Sequence, residues 1–306
     1  MSHHDVEDNI DLPKRLTDAA STGPALVLSG GGALGALQAG FLRALFRTDF
    51  QPSVIIGTSA GALNGAFLAF RPDEQGTEDL VDIWRSLRDE SLFLFNPLRI
   101  AYQLASRQMC LTNGGLLSRL LRDHTPVDDF SATKVPLCIT TTNLTAGRKE
   151  VFHEGPVSTA VLASTALPGL FCPVEIGDQM YVDGGVLENL DLDTAIELGA
   201  KEILAIDLSR CIDGHRPDSI VAVWMQTLDV IQRDRVDREM DRLENKAHIT
   251  LIQPVVESSV SLTNFLAVDR LLEDGEKLGE DIIREYRGSD GRFQAGTIHS
   301  PLHIHK

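Results

Sequence analysis

The chain has 306 residues, of which 43% are hydrophobic and 24% charged, enough for one large domain with a substantial buried core. Its formal net charge of −16 argues against nucleic-acid partners and against strong electrostatic docking on anionic bilayers, both of which need clustered cations.

Residues 1–23 read as a polar leader without the apolar stretch of a secretory signal. Ala25–Leu28 is a short apolar strand that runs into Ser29 and three glycines. From Ala33 the pattern turns helical, with Leu34, Leu37, Phe41 and Leu45 on one face. A second buried strand, Ser53–Ile56, feeds a small-residue helix, Ala60–Phe70. This alternation predicts a βαβ unit and a parallel sheet. Further helices are expected at 77–90 and 114–123. Strands follow at Val135–Thr142 and Lys149–His153, then a helix at Val157–Ala166. Val174–Ile176 and Met180–Val182 flank Gly177-Asp178 as a hairpin. A short helix, Leu192–Leu198, precedes a buried strand, Glu202–Leu208. Residues 217–246 form one long helix, and its charged half, Arg233–Lys246, reads as a solvated face. His248–Val255 is the last strand, 261–286 the last helix, and 288–306 a loose tail. The expected organisation is a core over 24–208, completed as one domain by 209–287. No uninterrupted apolar run reaches the ~20 residues of a membrane span. Cys110, Cys138, Cys172 and Cys211 are scattered, which predicts reduced thiols in a cytoplasmic protein and no metal.

Three stretches can carry chemistry. Gly57-Thr58-Ser59-Ala60-Gly61 joins a strand to a helix. A serine there sits on a crowded turn that needs small neighbours and exposes its hydroxyl. The competing role is plain helix capping by Thr58 or Ser59. Gly30-Gly31-Gly32-Ala33-Leu34-Gly35 makes a similar junction, where bare backbone N–H groups can converge on an oxyanion. The same glycines fit the dinucleotide pattern GxGxxG. The next strand, however, ends in Gly57-Thr58-Ser59 instead of the acid a ribose requires, so a dinucleotide-binding module is the weaker reading. Asp183-Gly184-Gly185 follows a strand; it is either a turn or a carboxylate held as a general base. His215, His248 and His299 sit in no distinctive motif, which disfavours a Ser-Asp-His triad.

Taken in order, these elements and Ala163-Ser-Thr-Ala-Leu-Pro-Gly-Leu-Phe-Cys-Pro173 resemble the patatin-like phospholipase family over roughly residues 24–208. The resemblance implies an α/β three-layer sandwich with a mostly parallel central sheet flanked by helices. It implies a Ser59 nucleophile and an Asp183 base, with an oxyanion hole of Gly30, Gly31 and Gly32. Gly35, Gly57, Gly61, Gly184 and Gly185 would support these motifs. The reaction would be hydrolysis of phospholipid or lysophospholipid esters through an acyl-enzyme, without cofactor or metal. Partners would be an acyl lipid and the membrane surface that presents it, met peripherally from the cytoplasm. Two positions depart from the family pattern. Leu34 stands where Arg or Lys is usual, which leaves an acyl-lipid binding or scaffold protein with impaired chemistry as the alternative. Asp191 stands where Pro is frequent, a change expected to affect only a helix start. Ser91–Leu104, rich in large apolar residues, is either a lid or acyl-chain wall or a packed connection; Arg99 and Arg107 nearby could meet a phosphate.

Overall fold

The computed structural model describes residues 13–89, 110–112, 115–124, 127–209, 220–243, 245–255 and 264–301. The Ser91–Leu104 segment, Arg99, Arg107, Cys211 and His215 lie outside them.

Strands β1 (Ala25–Leu28), β2 (Val54–Thr58), β4 (Leu137–Asn143), β9 (Glu202–Ile206), β10 (His248–Val255) and β11 (Gly296–Pro301) run parallel. They form one sheet with β5 (Arg148–Phe152), β7 (Val174–Ile176) and β8 (Gln179–Asp183). The order is β11-β10-β9-β1-β2-β4-β8-β7, with β5 also on β4. β5 and β8 pair with β4 antiparallel, and β7 with β8 likewise. A separate short pair joins β3 (Cys110–Thr112) to β6 (Gly169–Phe171).

The inner parallel strands β1, β2 and β9 are mostly apolar and buried because both faces are covered. Alternate residues serve two cores. Leu26, Leu28, Ile55, Leu137, Leu204 and Ile206 face helices α2 (Gly35–Phe46), α3 (Ala60–Phe70), α4 (Glu74–Asp89) and α9 (Val268–Tyr286). The helices α5 (Gly115–His124) and α6 (Val157–Ser164) close the same layer. Ala25, Val27, Val54, Ile56, Ile203 and Ala205 face α1 (Lys14–Ala20), α7 (Leu192–Glu197) and α8 (Ile220–Leu243). The chain is thus the helix–sheet–helix sandwich anticipated.

Several expectations are corrected. The stretch read as a polar leader contains α1, whose Leu16 and Ala20 are buried against the second core. The tail is not loose, since β11 adds a sheet-edge strand with Ile298 buried. Its polar, Gly-flanked sequence hides a strand that backbone pairing defines. The charged half of α8 is not simply solvated: Val236 and Leu243 are buried against Leu190, Leu192 and Ala195. Cys172 is disulfide-bonded and Cys138 is a buried free thiol, so four reduced thiols no longer argue for a cytoplasmic location.

Asp191 does more than start a helix. It caps α7 by accepting from Thr194 N–H at 3.0 Å. Fully buried, it also accepts from Lys149 Nζ at 2.8 Å and Thr140 Oγ1 at 2.7 Å. Burial pushes its pKa up, but Lys149 and the hydrogen bonds outweigh that and hold it below the usual carboxylate range. The pair pins β5 to α7 across the sheet. Lys149→Met should cost about 3–5 kcal/mol by leaving a buried carboxylate unpaired. Urea unfolding checks this, and Lys149→Met/Asp191→Asn should recover most of the loss.

Candidate active site

Sheet register brings the chemistry together. Leu28 aligns with Gly57 across β1–β2, Thr58 with Thr140 across β2–β4, and Thr141 with Asp183 across β4–β8. The Gly30 loop, Ser59 and Asp183 therefore emerge at one level, at the carboxyl ends of β1, β2 and β8. Because β8 is antiparallel to β4, the Asp183 end of β8 lies at the same level as the end of β2.

Ser59 has φ +54° and ψ −119° and is the sole non-glycine residue with positive φ among the described residues. Such backbone costs roughly 1–3 kcal/mol and persists only where its surroundings impose it. Here they do. A Cβ on Gly61 would stand 2.2 Å from Leu28 O, so β1 and the first turn of α3 touch backbone to backbone. Ser59 N–H donates to Ser164 Oγ at 2.8 Å, and that hydroxyl donates to Thr140 O at 2.7 Å. Helix capping is ruled out, since the Ser59 side chain makes no cap hydrogen bond and Thr58 Oγ1 donates to Glu188 O at 3.2 Å.

Ser59 Oγ instead donates to Asp183 Oδ2 at 2.6 Å. The other oxygen, Oδ1, accepts Gly185 N–H at 2.8 Å, which orients the carboxylate. Burial outweighs the lowering by the Ser59 and Gly185 hydrogen bonds and leaves the Asp183 pKa raised to about 6. Asp183 N–H donates to Ala166 O at 3.0 Å, so the Ala163–Pro173 segment braces both members of the pair.

The glycine loop lies opposite. Gly32 takes φ +54°, a conformation glycine adopts without a Cβ penalty. Gly30, Gly31 and Gly32 all line the cleft beside Ser59 and Ala60. They are not equivalent: Gly30 N–H is already donated to Asn189 O at 3.3 Å, and Asn189 Nδ2 donates back to Gly30 O at 3.3 Å. Gly31 N–H and Gly32 N–H make no such loop contact. Gly30 therefore supports the loop, and the sequence offered no sign of this difference.

The cleft encloses about 1020 Å³ including its open mouth. Its walls are apolar, formed by Leu63, Trp84, Leu117, Leu170, Phe171 and Phe265 among others. Trp84 Nε1 donates to Asn64 Oδ1 at 2.8 Å, and Asn64 Nδ2 donates to Gly35 O at 3.0 Å and Gln38 Oε1 at 2.9 Å. This buried chain ties the wall to the glycine loop. On the other side Gln232 of α8 donates to Gly185 O at 2.7 Å and accepts Asn189 N–H at 3.3 Å. Gln38, Asn64 and Gln232 carry no motif, and their only sequence signal is a polar residue on a packed face. None of the described histidines lines the cleft.

Leu34 is fully buried in the first core and does not line the cleft. The position that suggested impaired chemistry is here a packing site. Leu34→Arg should cost about 3–5 kcal/mol by burying an unpaired charge and should not quicken reaction at Ser59. Denaturant unfolding and fluorophosphonate labelling rates check the two halves of that expectation.

Residues 26–196 match the family model described as "Patatin-like phospholipase". "Patatin-like phospholipase domain-containing protein 7" of Mus musculus is 31% identical over 313 residues, covering 90% of this chain and 23% of that protein. "Lysophospholipase NTE1" of Phaeosphaeria nodorum is 27% identical over 288 residues, covering 86% of this chain and 18% of that protein. The chain thus spans less than a quarter of the length of these relatives. The crystal structure of VipD from Legionella pneumophila superposes with a TM-score of 0.44 at 17% identity, covering 85% of this chain and 66% of that one.

Proposed function

The chain belongs to the patatin-like phospholipase family, and on that premise we propose that it is a lipid acyl hydrolase using Ser59 as nucleophile and Asp183 as base. The single observation that carries this reading is the 2.6 Å hydrogen bond from Ser59 Oγ to a buried Asp183 on a strained turn.

Ser59 Oγ attacks the ester carbonyl carbon as its proton passes to Asp183 Oδ2. The tetrahedral oxyanion is held by Gly31 N–H, Gly32 N–H and the free amides at the N-terminus of α3. The carbon–oxygen bond then breaks, and the leaving alcohol takes the proton from Asp183. Water attacks the acyl-enzyme, Asp183 accepts its proton, and the fatty acid departs as Ser59 regains a proton. The apolar cleft suits an acyl chain, and relatives named lysophospholipase support phospholipid or lysophospholipid substrates.

Access to lipid fits a peripheral mode. No helix of the described residues is long and apolar enough to cross a membrane. The first half of α8 exposes Val223, Trp224, Val230 and Ile231, and Leu266 is 82% exposed beside the cleft-lining Phe265. These side chains, on elements whose Leu228, Gln232 and Phe265 line the cleft, can enter a lipid surface without a basic patch.

Ser59→Ala and Asp183→Asn should each lower acyl release by at least about a thousandfold with Tm unchanged within a few degrees; fatty-acid release from a lysophospholipid panel, read by mass spectrometry, tests this. Full activity in Ser59→Ala would overturn the assignment. The base works only as a carboxylate, and burial raises its pKa to about 6. The rate, kcat/KM, should therefore rise with pH through about 6 and level off above it. A profile still falling tenfold per unit between about pH 9 and 7 would instead point to a different base.

A further inference from the structure

Past the Asp183 turn lies a second buried cluster that does not line the cleft. Glu188 follows that turn, Asp193 sits in the first turn of α7, and Glu239 lies on α8. One oxygen from each lies within 4.8 Å of the others. The side chains of Glu188 and Glu239 are only 1% and 7% exposed.

Arg235 satisfies half of each glutamate. It pairs with Glu188 Oε2, and its Nε donates to Glu239 Oε1 at 3.0 Å. The remaining oxygens, Glu188 Oε1 and Glu239 Oε2, are buried and have no hydrogen-bond partner. Carboxylate oxygens in that state are costly.

We propose that Glu188, Asp193 and Glu239 bind one hard divalent cation, Ca²⁺ or Mg²⁺. Three carboxylates without nitrogen or sulfur donors select that class of ion. With metal–oxygen bonds of about 2.0–2.6 Å, two ligands of one ion stand at most about 5 Å apart, which matches the cluster. An ion there gives the orphaned oxygens of Glu188 and Glu239 a partner. Asp193, whose Oδ1 pairs with Arg242 Nη2, has a side chain 26% exposed and opens the site to solvent.

The ion touches neither Ser59 nor Asp183. It fastens three elements that frame them: the segment after Asp183, α7 and α8. Glu188 O accepts from Thr58, and the adjacent Asn189 pairs with Gly30. Its role is positional and structural, independent of which ester is cleaved.

The test uses the full chain, stripped with chelator and titrated with CaCl₂ or MgCl₂ by calorimetry and thermal melting. One of the two should bind at one ion per chain and raise Tm by about 5 °C at saturating concentration. Glu188→Gln should abolish that shift. Asp193→Asn, at a partly exposed position that tolerates the change, should weaken binding at least about tenfold and decides the matter if Glu188→Gln fails to fold. No binding and no shift in wild type up to about 10 mM of either ion would overturn the site. So would a Glu188→Gln or Asp193→Asn protein that binds the ion as wild type does. A Glu188→Gln protein more stable than an ion-indifferent wild type would assign the orphaned oxygens to a shared proton, which also overturns it. None of these measurements reads catalysis, so the result is separable from the esterase assignment.

Discussion

The structure turns on a serine that the backbone would not choose. At φ +54°, Ser59 occupies the left-handed side of conformational space where a side chain is penalised. The strain is borne by contacts that must all be present together. Gly61 lets the first turn of α3 rest on Leu28 O, Ser164 takes the Ser59 amide, and Asp183 takes the hydroxyl. Each comes from a different part of the chain, so the turn can form only in the assembled sheet. What the strain secures is position: the hydroxyl stands clear of the helix end, aimed at a carboxylate and facing the cleft.

Around this point the protein spends buried polar groups with unusual concentration. Gln38, Asn64 and Trp84 link the cleft wall to the glycine loop. Gln232 and Asn189 hold the Asp183 turn to α8 and to Gly30. Buried polar networks rigidify when fully satisfied, and a short-range proton transfer needs atoms held to within a fraction of an ångström. The apolar cores on the two sheet faces supply stability, while these side chains supply registration of loops that have no regular structure of their own. Lys149 and Asp191 do the same between sheet and helix on the opposite face.

Much of this was legible beforehand. Apolar runs such as Val54–Ile56 and Ile203–Ile206 announced strands covered on both sides, and small residues at the strand–helix junctions marked the two turns that line the cleft. Four short motifs in one order pointed to the family and named the residues that the structure places in one cleft. Less legible was anything defined by pairing or packing rather than pattern. The edge strand β11 carries a polar sequence that only its partner β10 makes a strand. Gly30 and Gly31 look alike in sequence, yet one amide is spent on Asn189. Gln232 lies 47 residues from the Gly185 carbonyl it holds, and no local signal encodes such a distance.

The sequence by itself determined the element types, the parallel αβ alternation and the identity of the groups able to do chemistry, because those follow from local periodicity and from backbone sterics at glycine and serine. It also carried the likeness to a family. Only the tertiary structure decided whether Ser59 caps a helix or meets a carboxylate, whether Leu34 faces the cleft or the core, and which loop amides remain free. Those outcomes depend on strand register and on competition for hydrogen-bond partners between segments far apart in the chain, and neither exists until the sheet is assembled.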